Sequence, residues 1–204
     1  MTFVENIFVL LAAPLLACLA FVRGRPRVMA IFMLCGMVSC LLSAYVNAFF
    51  MGWVGADGVA GAVEVAPVVE EAVKLLPILF YLLVLDPKVE DANLAVVALS
   101  VGFATLESGL YLASGELSTP VVLALRGLGT SMMHLTSGVM VGYGLMRVWR
   151  RPWLKVAGCF GLLCLAITFH GLYNVLVAAG DAAQVVAVCL PALTLALLLA
   201  LRLR

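Results

Sequence analysis

Seven side chains in this sequence have the types and spacing to do chemistry: Glu70, Glu71, Lys74, Glu107, His134, His170 and Asn174. All lie in or beside long apolar runs, and Arg126 accompanies them. A charged side chain in hydrocarbon costs about 2.5–3.5 kcal/mol on insertion scales, so each needs a reason to be there. The stretch Val68-Val69-Glu70-Glu71-Ala72-Val73-Lys74 sets two carboxylates and an ammonium at the head of an apolar run that ends at Leu85. Carboxylates and imidazoles without a serine in a nucleophile elbow point to an activated water. A carboxylate can take a proton from water as general base. An N–H-donating His, helped by an Asn amide, can stabilise the oxyanion of a tetrahedral intermediate. Alternatively Glu107, His134 and His170 could hold Zn²⁺ with one position open for water. A metal-free mechanism stands beside that reading. There is no H-E-x-x-H, so an ordinary zincin site is absent. Ser108, Ser131 and Ser137 lie nearby, but none has Ser–Lys spacing.

The elements that must position these groups are membrane helices. Of 204 residues, 65% are hydrophobic and 11% charged, too apolar for a water-soluble domain of this length. Seven apolar runs read as helices, at about 4–22, 28–51, 66–85, 94–113, 120–146, 154–177 and 184–201. The expected class is an all-α, polytopic membrane bundle. It forms one domain over 1–204, with a four-helix catalytic core at 66–177. No basic leader precedes the first run, whose one early charge is Glu5, so it reads as a span and not a secretory signal. The net charge of +1 gives no nucleic-acid signal. Six cysteines sit in apolar runs without a C-x-x-C pair and read as small packing residues.

Basic residues set the expected orientation. Arg23, Arg25 and Arg27 follow the first run, Arg147, Arg150, Arg151 and Lys155 the fifth, Arg202 and Arg204 the seventh. With seven spans these fall on one side, the cytoplasm, leaving the N-terminus outside. At about 1.5 Å per residue, Glu70 and His170 then lie about 24 Å from the cytoplasmic ends of their helices, and Glu107 and His134 about 20 Å. Four groups on antiparallel helices thus converge on one layer in the outer half of the bilayer.

Helical spacing groups them further. Glu70 and Lys74 are four apart and are expected to pair. Glu71 is rotated by about 100° and is free for another task. His170 and Asn174 are also four apart. Arg126, Thr130, His134, Gly138 and Gly142 form one stripe. Its glycines would let a neighbouring helix close on it, within the chain or in a dimer. Taken singly each group has a bland explanation, a bridge, a neutral acid or a packing residue, and Arg126 reads as snorkelling or structural. Their shared depth argues against that.

The same residues resemble the motifs of the PrsW-type intramembrane proteases. Glu70-Glu71-Ala72-Val73-Lys74 resembles the family's E-E-x-x-K motif. Gly102 to Glu107, with Tyr111, resembles its second motif. Arg126 to His134, with Gly138 and Gly142-Tyr143, resembles the third, and His170-Gly171-Leu172-Tyr173-Asn174 the fourth. Ser108 stands where the family commonly has Asn. Glu107 stands where type II CAAX prenyl endopeptidases of the same clan have His, which favours the PrsW branch. The resemblance implies hydrolysis of a peptide bond in a membrane-tethered protein, such as an anti-sigma factor, near the outer membrane face. It implies that Glu70 is the general base, that Glu71, Glu107 and His134 complete the water site, and that His170 and Asn174 stabilise the oxyanion. Two other classes compete: a proton- or ion-coupled transporter, and a catalytically silent immunity-type binding protein.

Overall fold

A computed structural model of the chain describes residues 3–115 and 120–202, and only the backbone of 120–126 and 202. Glu116 and the Arg126 side chain therefore lie outside the described groups. The long helices are α1 (Phe3–Cys18), α2 (Arg25–Val54), α4 (Ala66–Phe80), α5 (Val89–Ser114), α6 (Pro120–Val148), α7 (Lys155–Ala179) and α8 (Asp181–Arg202). A single turn, α3 (Gly58–Ala60), precedes α4. No strand occurs among the described residues. The all-α reading and the seven-helix count hold.

The helix ends differ from the apolar runs, for local reasons. Asp57 caps α3 by accepting from Ala60 N at 2.8 Å, so the third helical stretch starts eight residues before the apolar run marks it. Glu90 and Asp91 open α5 ahead of its apolar stretch, where carboxylates favour a helix N-terminus. Gly55, at φ 68°, ends α2 in the left-handed region that glycine tolerates.

The stretch from Gly58 to Leu85 turns continuously but not uniformly. π-helical turns at Gly61–Val65 and Tyr81–Leu85 bracket α4. Pro77 inside α4 removes one backbone donor, just ahead of the second of these turns. Such turns re-aim side chains and often lie near functional sites.

Among the described residues, four helices are long and apolar enough to cross a membrane: α2, α5, α7 with its preceding 3₁₀ turn, and α8. Half of α5's apolar window is buried, 50%, against 11% of α8's, which makes α5 the central post. On one side α5 crosses α2 closely. A Cβ at Gly36 would strike the Leu99 backbone, and one at Gly102 the Met33 backbone. On the other side α6 lays Gly138 and Gly142 against Ser100 and Val96 of α5. The glycine stripe therefore serves packing within the chain. Three apolar clusters fill the bundle: around Leu75, Ile78, Val96 and Leu99, around Met37, Phe103 and Leu106, and around Met133, Tyr173 and Ala187. Large apolar side chains such as Leu10, Phe21, Trp53 and Phe160 face outward, as lipid permits.

Candidate active site

The polar groups meet inside the bundle. Glu70, Glu71 and Lys74 come from α4, Glu107 from α5, His134 from α6 and His170 from α7. Each helix is apolar around its polar residue, so the charges can be satisfied only by one another. Glu70, Glu71, Lys74, His134 and His170 are all buried.

Lys74 does not pair with Glu70. Its Nζ donates to Glu71 Oε1 at 2.5 Å, three residues back, and reaches His134 Nδ1 at 3.0 Å. Glu71 Oε1 also accepts from His170 Nδ1 at 2.9 Å. Ser137 Oγ lies 3.4 Å from each Glu71 oxygen and donates to the His134 carbonyl at 3.1 Å. Glu71 is thus the hub of a buried polar network. A buried carboxylate is tolerated only when so satisfied. The expected i,i+4 pair fails because Glu70, 100° round the helix, faces a different set of neighbours.

Glu70 has a sparser shell. Its Oε1 accepts from Asn47 Nδ2 at 3.3 Å, and its Oε2 lies 3.9 Å from His170 Nε2. That Oε2 is buried without a hydrogen-bond partner. Glu107 Oε2 meets His134 Nε2 in a very short contact. The two imidazoles stand edge to face with centroids 5.1 Å apart, and Phe103 packs on His134 at 4.8 Å.

These bonds specify the tautomers. An ammonium has no lone pair, so Lys74 donates and His134 Nδ1 accepts. A neutral His134 then carries its hydrogen on Nε2 and gives it to Glu107. His170 gives its Nδ1 hydrogen to Glu71 and turns Nε2 toward Glu70.

One donor atom each from Glu70, His134 and His170 lie within 4.8 Å of one another. The sequence reading put Glu107 in that trio. The geometry puts Glu70 there, and sets Glu107 against His134 instead.

Beside these groups is a cavity of about 400 Å³, lined by Asn47, Glu70, Glu107, Tyr111, His170 and Asn174 among others. Thr130 and Tyr173 hydroxyls pair across one wall at 3.1 Å. Asn174 lines the cavity but gives its Nδ2 to the Ala62 carbonyl at 2.7 Å, tying α7 to the first π-helical turn.

A sequence model of the PrsW family intramembrane metalloprotease matches residues 24–201. The chain belongs to this family. No curated protein and no solved structure matches it. PrsW-family membership, with four helices fit to cross a bilayer, makes this a membrane protein of an intramembrane protease family acting on a protein substrate.

Motif reasoning missed two members of the site. Asn47 comes from α2, which carries no motif. It was detectable as the end of a stripe, Ser39, Ser43 and Asn47, spaced by four on an otherwise apolar helix. Ser137 lies three residues after His134, one turn along the same helix, and was read only for a nucleophile's role.

Proposed function

We propose that this PrsW-family chain is a zinc-dependent intramembrane endopeptidase, with Glu70, His134 and His170 holding the ion. One observation carries this reading. The buried Glu70 Oε2 has no hydrogen-bond partner and stands 3.9 Å from His170 Nε2. A buried carboxylate oxygen left bare is costly unless something positive completes it. A carboxylate with two imidazoles is a common catalytic zinc set. Zn²⁺ held there would supply a Lewis acid that polarises a carbonyl and makes water more acidic.

The chain's own residues prepare that site. Glu71 fixes the His170 ring through Nδ1 and leaves Nε2 for the ion. Lys74 occupies His134 Nδ1, so His134 offers Nε2. Glu107, beside that same nitrogen, passes the proton that Nε2 gives up on to water in the cavity and so returns to a carboxylate. Among the described residues, Glu70 and Glu107 are the two carboxylates on the cavity wall. With Glu70 a ligand, Glu107 is left as general base toward a water entering from the cavity. Asn174 has one N–H committed to Ala62 and a second for an oxyanion. The catalytic groups fall within 66–177, and α2 adds Asn47.

The cavity lies toward the ends of α5 and α7 opposite to the arginine-rich end. With that basic end cytoplasmic and the N-terminus outside, the cut falls near the outer face. The substrate is then a membrane-anchored protein, with an anti-sigma factor as the family-based candidate.

The test uses purified chain in liposomes with a panel of membrane-tethered reporter proteins. Cleavage should require about one zinc per chain, disappear on chelation and return with zinc. Glu70→Ala should fold and insert but not cut. Undiminished cleavage by metal-stripped protein would refute the zinc reading and leave the carboxylate–His mechanism. Ion uptake by sealed vesicles without any proteolysis would favour a transporter.

A further inference from the structure

The opposite end of the bundle holds a second, larger cavity, of about 850 Å³. It lies among the last turns of α6, the start of α7 and the end of α8, with Val89 and Asn93 of α5 at one side. The volume is within the roughly 300–1,000 Å³ range of small-molecule sites. Met140, Leu165, Leu198 and Leu201 give it apolar walls, while Arg147, Arg150 and Arg151 line it as well. Among the described residues, no carboxylate lines it. Among the described residues, none of the three guanidiniums is in an ion pair, whereas Arg25 at the same end is bridged to Asp91 at 2.9 Å. Arg147 reaches only the Tyr143 carbonyl, at 3.5 Å.

Apolar walls exclude a small soluble anion as the natural occupant, since it would leave them wet. Unpaired arginines exclude a purely apolar one. Guanidinium forks match phosphate oxygens, and basic pockets between membrane helices are the sites where anionic headgroups are held. We propose that this cavity binds one anionic phospholipid. Acyl chains lie along Met140, Leu165, Leu198 and Leu201, and the phosphate takes the arginines. This inference is independent of the protease reading.

Phosphatidylglycerol titrated into the full chain in detergent, with bound lipid counted by native mass spectrometry, tests it. Binding should saturate near one lipid per chain, at least about tenfold tighter than phosphatidylcholine. R147Q/R150Q/R151Q should weaken it by about 100-fold, from roughly fivefold per arginine. R23Q/R27Q removes basic charge from the same end, away from this cavity, and should change little. L198W, which fills the cavity without touching charge, should weaken binding by about tenfold. The proposal is overturned if R23Q/R27Q weakens binding as much as the triple variant, because surface charge alone would then explain it. It is also overturned if glycerol 1-phosphate displaces the lipid or if L198W binds normally.

Discussion

His170 Nδ1 donates to Glu71 Oε1 across 2.9 Å, and this turns Nε2 toward Glu70 Oε2, 3.9 Å away. A carboxylate on the far nitrogen of an imidazole fixes both its tautomer and its orientation. Neighbours on α4, 100° apart, thus act on opposite nitrogens of one ring from α7. The adjacent glutamates are not duplicates.

Glu71→Gln should therefore lower zinc affinity by about 10–100-fold, the usual cost of losing an outer-shell partner. Competition against a chromophoric chelator measures it in purified protein, without any substrate. Unchanged affinity would mean that Glu71 does not set the His170 tautomer.

Asn47 should behave differently from an ordinary buried polar residue. Its Nδ2 steadies Glu70 at 3.3 Å, while its Oδ1 is buried without a partner. Asn47→Leu should weaken zinc binding by about tenfold while leaving thermal stability equal or higher, because the orphaned carbonyl is gone. If affinity and stability fall together, Asn47 is merely structural.

Lys74 and Glu71 form a buried pair, and removing one partner strands the other. Lys74→Met should cost about 3–5 kcal/mol, read as a fall in unfolding temperature in detergent. Lys74→Met with Glu71→Leu should recover much of that stability, since matched apolar replacement of buried pairs is often neutral. It should recover no proteolysis. A double variant as unstable as the single one would show that the pair is not the source of the loss.

Close packing of α2 on α5 should be intolerant of one methyl group. A Cβ at Gly36 or Gly102 meets backbone, whereas one at Gly144 meets the flexible end of Leu162. Gly36→Ala and Gly102→Ala should each cost about 1–3 kcal/mol, and Gly144→Ala distinctly less. Thermal unfolding of the three variants side by side decides it. Equal losses would contradict the backbone-contact argument.

The sequence by itself determined a helical membrane bundle, because apolar runs of about 20 residues have few other ways to satisfy their backbone in lipid. It also marked Glu70, Glu71, Lys74, Glu107, His134 and His170 as one polar centre, since ionisable groups in such runs must find each other. Apolar runs could not give the starts of the helices at Gly58 and Val89, because hydropathy reports hydrocarbon contact while caps and first-turn acids set helix ends. Tertiary structure alone decided the pairings. Spacing made Lys74 and Glu70 neighbours on a cylinder, but the side chains that α6 and α7 bring up drew Lys74 to Glu71 and His134. It also placed Asn47 from a motif-free helix on Glu70, and Glu107 against His134. A one-dimensional pattern gives the face a residue occupies; which partner stands opposite depends on how helices distant in sequence are rotated and set against each other.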